Sequence, residues 1–458
     1  MTPVSLIQKY NVAGPRYTSY PAVPHWNTDA FTRDAFGQRL LTAFAQTNAS
    51  AGISLYIHLP YCESLCTFCG CHKRITKNHG VEQPYINAVL AEWNLYCDSL
   101  AQTGQRPRIA ELHLGGGTPS FFASSELNRL MEGLFRRADS TESPDYGWEG
   151  HPNNTTAEHL QTLYNWGFRR VSFGVQDYDP VVQRAIHRHQ PFAHVEQVTR
   201  WAREIGYTSI SHDLVFGLPF QQLSSIENTI RQTLSLQPDR LSFYSYAHVP
   251  WVKGTGQRGF RDEDLPSADQ KRKLYETGRD LLEAAGYSEI GIDHFAKPHD
   301  GLFRAMDNGT LHRNFMGYTT QQTRVLLGLG ASAISDVGMA FGQNEKNVDA
   351  YLGLIAAGEL PVVKGHVLSR QDGRVREHIL NLMCRFQTSW AADEWTLEEW
   401  EAMRPRLEQM AEDGLIEFTE TSVRIAEEGR PFIRNVCMVL DRYLPTTPTS
   451  VRVFSSTV

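Results

Sequence analysis

Between residues 53 and 247 short apolar runs alternate with longer amphipathic stretches. The runs 53–59, 111–115, 146–150, 170–175, 210–215 and 241–246 read as strands, and the stretches 83–100, 125–136, 157–166, 192–205 and 225–234 read as helices. Strands and helices in strict alternation require a parallel sheet with the helices packed outside it, because each crossover has to return to the same end. The pattern therefore predicts the α/β class and a partial (β/α)6 barrel of TIM-like type. Residues 1–35, with prolines at 15 and 21, carry little helical period and read as an irregular arm able to cover a site. Beyond residue 366 helical patterns at 374–386 and 397–413 precede a hairpin pattern at 414–418 and 423–425. The expected division is an arm over 1–35, a main domain with an extension over 36–365, and a smaller, mostly helical domain over 366–458.

Composition narrows the class of partner. With 458 residues, 41% of them hydrophobic, the chain can bury a large core. The 44 Lys and Arg against 51 Asp and Glu leave a net charge of -7, which offers no global attraction to a phosphate backbone, so nucleic acid is not expected. No run approaches the roughly 18 apolar residues of a membrane span, and the opening residues lack a secretory apolar region, so a cytoplasmic protein is expected, as a monomer. Four of the seven cysteines fall within residues 62–71, a clustering that points to metal rather than to disulfides.

The cluster is Cys62-Glu63-Ser64-Leu65-Cys66-Thr67-Phe68-Cys69-Gly70-Cys71, directly after a predicted strand. Structural zinc commonly uses two separated cysteine pairs, and Cys97, Cys384 and Cys437 stand isolated, so a zinc knuckle is the weaker reading. Three thiolates in the spacing C-x3-C-x2-C can hold three irons of a [4Fe-4S] cluster and leave the fourth open to an exchangeable ligand. An open metal position implies chemistry.

Cys62, Cys66, Phe68 and Cys69 match the C-x3-C-x-aromatic-C signature, and the chain resembles the radical S-adenosylmethionine enzymes. More specifically it resembles the oxygen-independent coproporphyrinogen III oxidase family. The resemblance runs through Gly14-Pro15-Arg16-Tyr17-Thr18-Ser19-Tyr20-Pro21, Tyr56-Ile57-His58-Leu59-Pro60, the cysteine loop with its extra Cys71, Gly115-Gly116-Gly117-Thr118-Pro119, Gly174-Val175-Gln176-Asp177, the segment from Arg313 to Thr320, and Arg434-Asn435-Val436-Cys437. It implies that residues 36–365 form a radical S-adenosylmethionine catalytic domain binding a [4Fe-4S] cluster on Cys62, Cys66 and Cys69 and one, or two, S-adenosylmethionine molecules. A reduced cluster would cleave S-adenosylmethionine to methionine and a 5′-deoxyadenosyl radical, which takes a hydrogen atom from a propionate β-carbon. Loss of carbon dioxide and one electron leaves a vinyl group. Two such rounds convert coproporphyrinogen III to protoporphyrinogen IX in anaerobic heme biosynthesis, with a low-potential donor such as flavodoxin or ferredoxin.

Tyr56 and His58 are two apart in a strand whose apolar positions are Leu55, Ile57 and Leu59, so both project to one side, toward the cofactor. The bland alternative is a pair of satisfied core side chains. Gly116 and Gly117 end the second strand without side chains, and the resemblance assigns them, with Thr118, to the methionine end of the cofactor. It assigns further cofactor contacts to Tyr56, Phe68, Glu149, Gln176, Arg188, Asp213, Ala247 and Ile334, of which Glu149 and Gln176 end predicted strands and Asp213 lies in one. His151 and Ser211 depart from the acidic or amide residue and the Asn common in the family. Cys71, Tyr56 and His58 are the catalytic candidates. A fourth thiolate would occupy the open iron, so Cys71 is expected near the substrate. The propionates call for cationic forks, and Arg16, His312 and Arg313 are the candidates. Rival readings are a heme-binding chaperone and a radical heme-opening enzyme of the same superfamily. The chaperone branch typically lacks the counterparts of Cys71 and of the arm.

Overall fold

The computed structural model describes residues 4–251, 256–444 and 454–457. Six parallel strands lie side by side in sequence order: β1 (Ile53–Leu59), β2 (Arg108–Gly116), β3 (Asp139–Gly150), β4 (Arg170–Gln176), β5 (Ser209–Phe216) and β6 (Arg240–Ser245). They are the six expected from the apolar runs. β3 starts earlier than its apolar stretch, because the polar residues from Asp139 pair with β2 around a bulge between Ile109 and Glu111. The sheet does not close. The outer edge of β1 pairs in parallel with Leu326–Leu329, followed by the antiparallel strands Ile334–Asp336, Ala340–Asn344 and Val362–Val367. The outer edge of β6 takes His294–Ala296 and then Ser288–Gly291, both antiparallel, to complete twelve strands.

Alternation along these strands sorts the residues. Ile53, Leu55, Ile57 and Leu59 are fully buried against the helices Glu82–Leu100 and Arg33–Ala51, along with Leu112 and Leu114 of β2. Each such side chain contributes about 1.5–3 kcal/mol relative to exposure. The opposite positions, which face the barrel interior, are polar: Tyr56, His58, Glu111, His113, Glu149, Ser172, Asp213 and Ser242. At the N-terminal ends of the strands this interior is sealed by Arg170 on Asp145 and Arg240 on Asp300, each at 2.6 Å. A polar interior sealed at one end leaves the C-terminal ends of the strands as the place for a ligand.

Two long helices escape the apolar pattern. Arg33–Ala51 follows Thr32, whose hydroxyl accepts from the Ala35 amide at 3.1 Å. Ala268–Ala284 opens with a reciprocal cap: Ser267 Oγ accepts from the Gln270 amide and the Gln270 side chain accepts from the Ser267 amide.

The C-terminal part is mostly helical, with Arg370–Arg385, Leu397–Glu412 and Ile433–Leu440 packed beside a three-stranded sheet. That sheet contains the expected hairpin, Ile416–Thr419 with Ser422–Ile425, and a further strand, Gln387–Ser389. The N-terminal arm differs from its irregular reading in holding the helix Val4–Tyr10 and a turn of 3-10 helix at Val23–His25. It is tied to the C-terminal part rather than loose. Ala13 bridges Ser456, Tyr17 donates to Asp441 at 2.9 Å, Asn435 Nδ2 donates to the Tyr10 carbonyl at 2.8 Å, and the Arg434 guanidinium donates to the Gly14, Pro15 and Ser456 carbonyls. Among the described residues no helix is long and apolar enough to cross a membrane.

Candidate active site

A cleft of about 770 Å³ opens over the C-terminal ends of the six strands. Its wall on one side is the loop after β1. Cys62, Cys66 and Cys69 all face the cleft from this loop, and so do Phe68 and Cys71. Short interactions hold the loop in place. Lys73 Nζ donates to the Cys69 and Cys71 carbonyls at 3.2 Å each, Thr67 Oγ1 donates to the Ala185 carbonyl at 2.9 Å, and the Gly256 amide donates to the Cys69 carbonyl. Phe68 packs against Val182, Ile186, Val215, Leu218 and Tyr246. Cys62 Sγ lies 3.1 Å from Thr118 Oγ1, and burial holds its thiol up at about 11. The thiols of Cys69 and Cys71 share a hydrogen bond, which lowers Cys69 to about 6 and raises Cys71.

The floor is the glycine run. A Cβ on Gly115 would sit 2.9 Å from Glu149 Oε1 and 3.0 Å from the Tyr56 ring, and one on Gly117 would sit 2.5 Å from the Pro60 carbonyl oxygen. Gly116, at φ +118°, lies directly on the His58 ring. Glycine is required because the backbone is pressed onto Tyr56 and His58, and the same bareness leaves its other side open to the cleft. Tyr56 and His58 do project to one side, as the alternation requires, but they lie under the glycines and do not line the cleft. Burial lowers His58 to about 4, so its imidazole is neutral at pH 7. Its Nε2 donates to the His72 carbonyl at 3.0 Å, which leaves Nδ1 to accept from the Tyr56 hydroxyl at 3.1 Å. The pair therefore grips the end of the cysteine loop.

The remaining wall is built from strand ends. Glu149 accepts from the Gly116 amide at 3.3 Å and from His113 Nε2 at 3.2 Å, and the His113 ring stacks on Tyr56. Gln176 adopts φ +70°, a strained conformation for a residue with a Cβ and one that clusters at functional sites. Arg188 donates to the Gly174 carbonyl, reaches within 3.7 Å of Cys66 Sγ, and has a buried Nε without a partner. A Cβ on Gly174 would meet both Gln176 and Arg188, so that glycine is what lets the two side chains come together. Asp213, bonded by Ser172, is pushed up to about 6 by burial. Ala247 and Arg16 complete the lining.

Thus Arg16, Cys62, Cys66, Phe68, Cys69, Cys71, Gly116, Gly117, Thr118, Glu149, Gln176, Arg188, Asp213 and Ala247 meet at one cleft. Five expected residues do not: Tyr56 and His58 lie beneath the glycines, and Ile334, His312 and Arg313 stand farther off. Ile334 belongs to the antiparallel extension and packs with Trp26, Phe341 and Leu368. His312 is half-buried in the hairpin His312–Asn314 with Gly317–Thr319, beside Arg376. Arg313 is buried behind Arg16, donating to its carbonyl at 3.4 Å with its guanidinium over the Tyr318 ring. His113, Lys73 and Tyr244 were not anticipated. His113 could have been, since it shares the inward phase of Glu111 in β2.

The residues present fit an iron–sulfur cluster and its cofactor. Three soft donors share one loop, they face a deep cleft, and Arg188 reaches one of them, Cys66, through Nη1 while its buried Nε has no partner among the described residues. A zinc knuckle would ask for a second cysteine pair at the site, and Cys97, Cys384 and Cys437 are buried and none of them lines the cleft.

Residues 56–233 match the radical SAM superfamily model. Over 96% of both chains the sequence is 37% identical to an oxygen-independent coproporphyrinogen III oxidase from Pseudomonas aeruginosa. The chain belongs to the oxygen-independent coproporphyrinogen III oxidase family. The family member from Escherichia coli is 36% identical over 96% of this chain and 95% of that one. A solved structure of coproporphyrinogen III oxidase from Escherichia coli, described as a radical SAM enzyme, superposes with a TM-score of 0.88 over 97% of this chain and 99% of that one, at 35% identity. The partial barrel with an arm and a helical C-terminal part is therefore the fold of this oxidase family, and the family's cofactors are a [4Fe-4S] cluster and S-adenosylmethionine.

Proposed function

We propose that the protein oxidatively decarboxylates two propionate side chains of coproporphyrinogen III to vinyl groups without oxygen, giving protoporphyrinogen IX. The observation that carries this is the meeting, in one cleft, of the three-cysteine loop and the arm residue Arg16, which pairs a radical-generating donor set with a cation suited to a carboxylate.

When bound, the [4Fe-4S] cluster and S-adenosylmethionine supply the electron and the 5′-deoxyadenosyl radical that open the reaction. Cys62, Cys66 and Cys69 would hold the cluster as thiolates. Lys73 and neutral His58 fix the loop through its carbonyls, so that the thiols stay in place through repeated turnover. The bare backbone of Gly116 and Gly117, with Thr118, would hold the amino-acid end of S-adenosylmethionine, and Glu149, Gln176, Arg188, Asp213 and Ala247 would supply polar contacts to the rest of it. Phe68 and its apolar neighbours keep water from the loop. Cys71, exposed to the cleft, acts at the substrate and not on iron. The open sheet leaves room for a large, flat substrate that a closed barrel packed with side chains would exclude. Electrons come from a low-potential donor protein such as flavodoxin or ferredoxin.

The test is an anaerobic incubation of reconstituted protein with coproporphyrinogen III, S-adenosylmethionine and a reductant. Formation of 5′-deoxyadenosine together with carbon dioxide and a porphyrinogen lighter by two decarboxylations is the expected result. Tight heme binding without carbon dioxide release would overturn the proposal.

A further inference from the structure

The strand β4 ends in a turn that its neighbours hold. Gln176 sits at φ +70° between the Val175 carbonyl and the Asp177 amide, which bond to each other at 3.0 Å. A three-residue turn with positive φ at its centre is the rare and strained form, and it persists only where the surroundings over-determine it. The turn lays Gln176 back over Gly174, where an added Cβ would stand 2.6 Å from Gln176 Nε2 and 2.9 Å from Arg188 Nη2. Gly174, Gln176 and Arg188 all line the cleft.

What holds the turn is the next residue. The Asp177 carboxylate, 1% exposed, accepts from Gln221 Nε2 at 2.6 Å, from Thr229 Oγ1 at 2.9 Å and from the Asp179 amide at 2.7 Å. Gln221 is itself fully committed. Its Nε2 also donates to the Val215 carbonyl at 2.8 Å, and its Oε1 accepts from the Gly217 and Leu218 amides at 2.7 and 3.1 Å. One buried carboxylate thereby joins the end of β4 to the turn after β5. It does not serve as the cap of the following helix Pro180–Ala185, because Asp179 does that, accepting from the Val181 and Val182 amides. The Asp177 carbonyl accepts from Gln183 Nε2 at 2.9 Å, and the Gln183 carbonyl accepts from the Arg188 amide at 2.9 Å. Arg188 is therefore tied through main-chain atoms, and Gln176 through the Asp177 side chain.

We infer that Asp177 is a positioning residue for the cofactor: by pinning the strained turn it aims the Gln176 amide at bound S-adenosylmethionine. This rests on the assignment of Gln176 to S-adenosylmethionine made above.

Cluster-loaded parent protein, Gln176→Ala, Asp177→Asn and the double variant are titrated with S-adenosylmethionine by equilibrium dialysis, without tetrapyrrole. Cluster absorbance and thermal melting report that each variant is folded. Asn keeps the size of Asp but turns an amide nitrogen toward groups that donate, while Gln176→Ala keeps the turn and removes the amide. The expected result is a Kd raised about tenfold in each single variant and no further in the double variant, since Asp177 acts through Gln176. Losses that multiply to about a hundredfold in the double variant give Asp177 a separate structural role and overturn the inference. An affinity equal to the parent's in folded Asp177→Asn, or in Gln176→Ala, overturns it as well. If Asp177→Asn does not fold, Thr229→Val, which removes one of the three donors, takes its place in the cycle under the same criteria. None of these outcomes touches the decarboxylase reading, which falls only if the parent releases no carbon dioxide from coproporphyrinogen III.

Discussion

At Cys71 the sulfur sits next to Cys69, the cluster ligand proposed above, and is itself assigned to the substrate. It bonds to Cys69 and is exposed to the cleft, where it can reach a substrate. Cys71→Ser keeps a small hydrogen-bonding group, so the visible absorption of the cluster is expected to remain while decarboxylation drops by at least about 100-fold, within the range spanned by a positioned proton or hydrogen donor. Loss of the cluster absorption in that variant would make Cys71 a ligand after all. Gly117 tests the floor. Its missing Cβ would stand 2.5 Å from the Pro60 carbonyl, a backbone atom that cannot swing aside. Gly117→Ala should cost about 1–3 kcal/mol in urea unfolding and weaken S-adenosylmethionine binding as the loop after β1 shifts. A variant as stable as the parent would show that the loop yields freely. The roles of Tyr56 and His58 were half legible at this scale. Period-two alternation put both on the inner side of β1, but only the packing of the glycine run shows that they lie beneath the backbone and hold His72 from below.

Elements were legible wherever one face is apolar and the other polar. All six parallel strands and a crossover helix for each gap between them emerge from that contrast, because burial selects it; the short helix Pro180–Ala185 does not. The helix Arg33–Ala51 does not, since its buried Phe36, Leu40, Ala43 and Phe44 are diluted by alanines and small polar residues. The antiparallel extension after residue 311 consists of strands of three to six residues, too short to show a period. That extension is joined to the barrel by Glu92 of the helix Glu82–Leu100, which accepts from the Gly330 amide at 2.8 Å, Tyr351 at 2.7 Å and Asn344 at 2.7 Å. Burial raises the Glu92 carboxyl from 4.5 to about 7. The folded state then keeps a proton that the unfolded chain has released, so this group's contribution to stability falls as pH rises between those two values and levels off above. Glu92→Gln abolishes that titration. Urea unfolding at pH 5, 6 and 7 should show a shallower decline in the variant, by up to on the order of 3 kcal/mol across the window. Parallel curves would mean that Glu92 titrates alike in both states.

For the whole molecule the unanticipated feature is the clasp between the arm and the C-terminal part. Sequence reasoning supplied an arm that could cover a site and a resemblance that includes Arg434, but no pattern links two segments so far apart. The link is a buried guanidinium spending its donors on backbone carbonyls, a contact that leaves no periodic trace. Arg434→Gln leaves several of those carbonyls unsatisfied and should cost about 3 kcal/mol. Limited proteolysis should then cut the arm between residues 10 and 22, where the parent resists. An arm that stays protected in the variant would place its anchorage elsewhere, on Tyr17 and Asp441.

The clasp also imposes a timetable. Gly14 and Arg434 are separated by 420 positions, so at translation speeds of about 5–20 residues per second the strap waits roughly 20–80 s for its buckle. During that interval the arm has no partner for its Gly14 and Pro15 carbonyls, and the clasp closes only once Arg434 has been made.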